Sequence, residues 1–119
     1  MNTNREGFRD WELKLFNDFP LLYRDTDKPD TQSLMCYGFE GIGEEWEPLL
    51  RELSEGLERL IKRWIENNPD NKDNHPRAFQ VKSKFGDLRF YMEGEKHLGD
   101  ECYLLIDKAE NQVHKLGKK

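Results

Sequence analysis

The amino-acid sequence predicts a single α+β domain, a small antiparallel sheet with helices packed on one side. Two observations carry that expectation. Between Trp46 and Trp64, eight apolar residues recur at i, i+3, i+4 and i+7 spacing, the mark of one long amphipathic helix. Between Phe79 and Glu93, the segment FQVKSKFGDLRFYME alternates apolar and polar residues on both sides of a glycine, the mark of a β-hairpin. A lone hairpin is marginal in water, so its apolar face needs the helical stripes as cover. A length of 119 residues fits one domain over 1–119, with residues 1–7 and 117–119 expected to fray.

In chain order, Phe8, Trp11, Leu15 and Phe19 have helical spacing and predict a short N-terminal helix. Pro20 stops it, because the residue before a proline avoids helical angles. The stretch RDTDKPDTQ (24–32) is rich in turn formers and charge and reads as a loop. Residues 33–40, SLMCYGFE, have strand-like composition and offer a third strand. Glycines 38, 41 and 43 then mark a tight turn; without a Gly-Lys-Ser/Thr ending it is not a phosphate loop.

The long helix is expected over about 46–67. Pro48 is tolerated only in a first turn and fixes its start. Its apolar face is Trp46, Leu49, Leu50, Leu53, Leu57, Leu60, Ile61 and Trp64. Glu47/Arg51, Glu55/Arg59 and Glu58/Lys62 are spaced for i, i+4 ion pairs. ENNPDNKDNHP is a loop.

The hairpin is expected over about 78–93, with its reversal at Gly86-Asp87. Phe79, Val81, Phe85, Leu88, Phe90 and Met92 are assigned to the buried face. Gln80, Lys82, Lys84, Arg89 and Tyr91 are assigned to the displayed one. A last helix over about 100–116 follows from Leu98 or Cys102, Leu105, Ile106, Ala109, Val113 and Leu116. Asp100 is placed as its N-cap, and Gly117 with two lysines as its end.

The net charge of −5 argues against a general nucleic-acid coat and fits a partner with a basic surface. The opening MNTNREGFRDWE is polar, so no leader peptide is expected, and no apolar run approaches a membrane span. The chain is therefore expected in the cytoplasm with reduced thiols. Cys36, between Met35 and Tyr37, and Cys102, on the last apolar stripe, read as core thiols. His75, His97 and His114 form no local nucleophile–base signature with them. Paired metal-ligand spacing is absent too, so no catalytic residue, metal or cofactor is assigned.

Two charged surfaces remain. Glu40, Glu44, Glu45 and Glu47 open a stretch to Glu58 that carries seven acids against the single base Arg51. That surface could imitate nucleic-acid phosphates to a protein partner; acids at a helix start also simply favour the helix dipole. From Arg77 to Arg89 the hairpin carries four bases and one acid, and Tyr91 neighbours Arg89 on one face. Lys82, Lys84, Arg89 and Tyr91 suit a phosphate-binding, base-stacking ribbon or a protein-docking one. Lysines on an exposed strand also guard a sheet edge.

SLMCYGFEGIGEEWEPLLRELSEGLERLI, FQVKSKFGDLRFYME and LLIDKAENQ together resemble a family of small uncharacterised bacteriophage and prophage proteins. The likeness covers about residues 33–112. Cys36, Gly38, Phe39, Glu40, Gly43 and Trp46 match that family's turn before a long helix. Gln80, Val81, Lys82, Lys84, Phe85, Gly86, Leu88, Arg89, Phe90 and Tyr91 match its hairpin, and Asp107, Ala109 and Glu110 its last helix. Gly41 stands where the family often has a second cysteine, and the family's frequent C-terminal Cys-x-x-Cys is missing; a metal bound there by relatives would be lost here. The resemblance implies a compact α+β fold and a phage setting, and supplies no activity. In that setting the expected function is a non-enzymatic accessory protein that binds a host protein, such as an anti-CRISPR-like inhibitor of a defence system. Direct nucleic-acid binding through the hairpin is the alternative.

Overall fold

The structure, a computed structural model, describes residues 7–116; the expected fraying of 1–6 and 117–119 and the expected helix end at Gly117 lie outside the described residues. The element order is α1 (Asp10–Asp18), β1 (Phe39–Glu40), α2 (Glu47–Asn67), β2 (Arg77–Lys84), β3 (Asp87–Glu93) and α3 (Asp100–Leu116). Short 3₁₀ turns precede β1, α2, β2 and α3.

The α+β architecture expected from the sequence is present. α2 starts at Glu47 with Pro48 in its first turn, where the missing N–H costs nothing. It buries Leu50, Leu53, Leu57, Leu60 and Ile61. Of the three expected pairs on its surface, Glu47–Arg51 forms, with Nε to Oε2 at 2.9 Å. Glu58 does not turn out to Lys62. It lies 4% exposed and accepts the backbone N–H groups of Leu21 and Leu22.

The sheet has the order β1-β2-β3. β2 and β3 pair antiparallel, and the third strand is shorter than the expected 33–40 and runs parallel to β2, so the sheet is mixed. Residues 34–37 form a 3₁₀ turn instead of strand, started by the Ser33 hydroxyl accepting from the Met35 amide. A register shift between Ala78 and Gln80 puts Ala78 and Val81 inward and leaves Phe79 half-buried. Leu88 and Phe90 return on the buried face as expected.

Phe39 is the aromatic hub of the core. Its ring lies 5.1 Å from Phe16, 5.4 Å from Trp11 and 5.6 Å from Tyr23. The Glu12 carboxylate, 4% exposed, holds this junction by accepting the Phe39 N–H at 2.7 Å and the Arg9 N–H at 2.9 Å. A backbone amide buried away from water needs such an acceptor.

Both sides of the sheet are closed. α3 runs along β3, and its Glu110 accepts the Phe90 N–H at 3.2 Å. His114 Nδ1 stands 2.9 Å from Asp87 Oδ1. On the other side, β2 is covered by β1 and by the Leu22 carbonyl, which accepts from the Ala78 amide at 2.8 Å. Ser33 Oγ donates to the Phe79 carbonyl at 3.4 Å. Lys82 therefore sits on the central strand, and edge guarding does not explain it.

Candidate protein-docking face

The outer face of the sheet is built by cross-strand partners. Gln80 lies opposite Tyr91, Lys82 opposite Arg89, and Lys84 opposite Asp87. Glu40 of β1 flanks Lys82 on the same face, and its Oε1 accepts from Gln80 Nε2 at 3.1 Å. The structure thus brings Lys82, Lys84, Arg89 and Tyr91 together as the alternation predicts, and adds Glu40 to them.

That addition changes the electrostatics. Arg77 stands opposite Glu93 at the hairpin base, and its charge is already engaged: Nε donates to Asp25 Oδ2 at 3.0 Å. Three cations (82, 84, 89) and three carboxylates (40, 87, 93) remain, so the face carries no net charge. Lys82 and Arg89 are like charges directly opposite each other, which costs on the order of 0.2–1 kcal/mol. Among the described residues none of Lys82, Lys84 and Arg89 forms an ion pair that offsets it.

The acidic stretch does not stay together. Glu44 and Glu45 are exposed in the turn before α2. Glu47 is tied to Arg51, which also donates to Asp18 at 2.8 Å. Glu40 has moved to the sheet face, and Glu58 is inside. A continuous phosphate-like surface from Glu40 to Glu58 is therefore not what the fold displays.

The hairpin tip departs most from the sequence reading. The reversal is Phe85-Gly86, with φ of 55° and 83°, and Asp87 already belongs to β3. Phe85 is not on the buried face; it is 94% exposed. Two positive φ values are the backbone of a type I′ turn, which prefers Asn-Gly. Phenylalanine in the left-handed region costs roughly 1–2 kcal/mol. Lys84 Nζ lies 6.0 Å from the Phe85 ring centroid. The missed signal was the pair Lys84 and Asp87, whose opposite charges flank a two-residue loop.

The cysteines and His75 sit apart from this face. Burial pushes the Cys102 thiol up to about 11 and also raises Cys36, so both thiols are held protonated. Among the described residues no three His, Cys, Asp or Glu side chains converge as metal ligands do. His75 is 4% exposed beneath a groove at the far end of α2, a feature that no spacing in the sequence announced.

Comparison of the chain with protein-family models, with curated proteins and with solved structures gives no match.

Proposed function

We propose that this chain is a non-enzymatic binding protein that docks a protein partner through the hairpin tip and the outer sheet face. Phe85 carries the reading. A large apolar ring is held outside the core, on a strained backbone, at a position where a smaller polar residue would fold better. Local rules are broken in this way at functional sites, where the strain positions a group for its partner. Buried aromatic anchors also dominate the energetics of protein interfaces.

Lys84 adjoins that anchor, and Lys82 and Arg89 follow along the sheet face, so the partner surface is an apolar pocket flanked by carboxylates. The resemblance to phage proteins supports a host protein as the partner, and a defence component inhibited in the anti-CRISPR manner is the form that setting favours. The pairing of Arg89 with exposed Tyr91 favours a second reading, stacking on nucleic acid. A face with no net charge gives that reading weak phosphate attraction.

The test is capture from bacterial lysate with tagged wild-type protein and a Lys82→Glu/Arg89→Glu variant, with and without nuclease. A protein retained after nuclease, and lost in the variant, supports docking. Retained nucleic acid, released steeply by salt, supports the second reading instead.

A further inference from the structure

We infer that the groove over His75 is a second binding site, for a small apolar monoanion that carries an N–H or O–H donor. The groove lies between the loop after α1, the last turns of α2 and the 3₁₀ turn Pro69–Asn74, and has a volume of about 630 Å³. Ligand pockets fall at roughly 300–1,000 Å³. It shares no residue with the hairpin face.

The walls are fixed by bonds that belong to the fold. Glu58, from inside α2, holds the Leu21 and Leu22 amides. The Arg24 guanidinium donates to the Asp73 carbonyl and so ties the loop to the 3₁₀ turn. Arg77 donates to the His75 carbonyl at 3.1 Å. A groove held on three sides in this way is formed before any ligand arrives, which lowers the cost of binding.

His75 supplies the specific polar group. Its Nδ1 lies 2.8 Å from the Pro76 carbonyl oxygen, which can only accept, so Nδ1 carries the proton. Nε2 is then a lone-pair acceptor, and it has no hydrogen-bond partner among the described residues. Burial, with Arg24 and Arg77 nearby, keeps the ring neutral. His75 lines the groove, where a ligand's N–H or O–H can reach that acceptor.

The remaining lining sets the rest of the ligand. Leu21 and Ile65 offer apolar contact. Lys62 and Lys72 form no ion pair among the described residues, whereas Arg24 is engaged by Asp25 at 3.5 Å. Glu66 and Asp73 also line the groove, so with Arg24 engaged the two lysines face two carboxylates, which disfavours a multiply charged anion.

Anilinonaphthalene sulfonate, an aromatic monosulfonate with one N–H, is the probe, followed by fluorescence and by amide NMR spectra of the full chain. The expected result is one saturable site that shifts Leu21, Ile65, Asp73 and His75. Affinity should fall about tenfold in Lys62→Glu/Lys72→Glu, whose changes are on exposed residues, and by a similar factor for the uncharged analogue phenylnaphthylamine. His75→Phe, checked for folding by the same spectra, should weaken binding several-fold. Absence of saturable binding, shifts confined to the hairpin or the α2–α3 seam, or equal affinity in the lysine variant would overturn the inference.

Discussion

The carboxylate of Glu58 accepts the amide hydrogen of Leu22 at 2.8 Å, from a side chain on the buried face of α2. The same carboxylate takes the Leu21 amide at 3.1 Å. Past Pro20 the chain has no helix to satisfy these donors, and Glu58 does so in place of a helix. Glu58→Leu strands both amides, each at a cost of about 1–3 kcal/mol. Glu58→Gln keeps an acceptor oxygen and should lose about half as much. Urea midpoints rank the three proteins; a Leu variant as stable as wild type would refute this role.

Gly38 and Glu12 make a second such junction. Gly38 has φ 66° and ψ −145°, a region that only glycine occupies readily. A Cβ there would stand 2.5 Å from Glu12 Oε2, and that oxygen is committed to the Phe39 amide. Gly38→Ala should therefore lose on the order of 1–3 kcal/mol by urea denaturation. An unchanged midpoint would remove the structural explanation for this glycine.

His75 gives stability a pH dependence. Burial is the largest influence that lowers its pKa from the ordinary 6.5; Arg24 and Arg77 lower it further, and the Pro76 carbonyl and Glu58 pull it back. The unfolded chain then binds a proton that the folded chain refuses, so stability falls as pH drops through about 6.5 and levels off below the depressed folded value. Glu110 acts in the opposite sense. Burial raises its carboxyl from 4.5, so that in acid the fold takes up its proton first. Tm measured from about pH 7 to 5.5 covers the range in which histidines titrate, and comparison with a His75 variant picks out this one. His75→Asn, whose amide can still donate to Pro76, should flatten that slope; an equal slope in the variant assigns it elsewhere.

The two charged surfaces can be separated. Glu44→Lys/Glu45→Lys changes exposed residues away from the sheet face and should leave partner capture intact. Lys82→Glu/Arg89→Glu should abolish it; the variant keeps a like-charge pair at these opposed positions, beside Glu40, and gains no stability from the change. Capture lost only in the Glu44/Glu45 variant would move the interface to the start of α2.

Helical period made the spine of the fold legible. Pro48 marked the start of α2, and the apolar stripe ending at Val113 marked α3. Alternation likewise separated Val81, Leu88 and Phe90 from Lys82, Arg89 and Tyr91. It failed at Phe79 and Phe85 for different reasons. A bulge displaces Phe79, and the register of a tight turn, which places Phe85, is set by backbone angles that a hydrophobic pattern does not encode. Glu12 and Glu58 were illegible because each is buried to serve backbone distant in sequence, and His75 because its burial depends on elements that only the fold brings over it. Within the motif QVKSKFGDLRFY, packing accounts for Val81, Leu88 and Phe90; it leaves Lys82, Lys84, Phe85, Arg89 and Tyr91 outside.

Phe85→Asn tests the central claim most directly, because folding and docking then pull in opposite directions. Asparagine suits the first position of a type I′ turn, so the variant should gain about 1 kcal/mol and melt roughly 4 °C higher. The same protein should lose the partner that wild type captures from nuclease-treated lysate. A variant that melts lower, or one that still holds the partner, would mean that Phe85 serves the fold and that the docking face lies elsewhere.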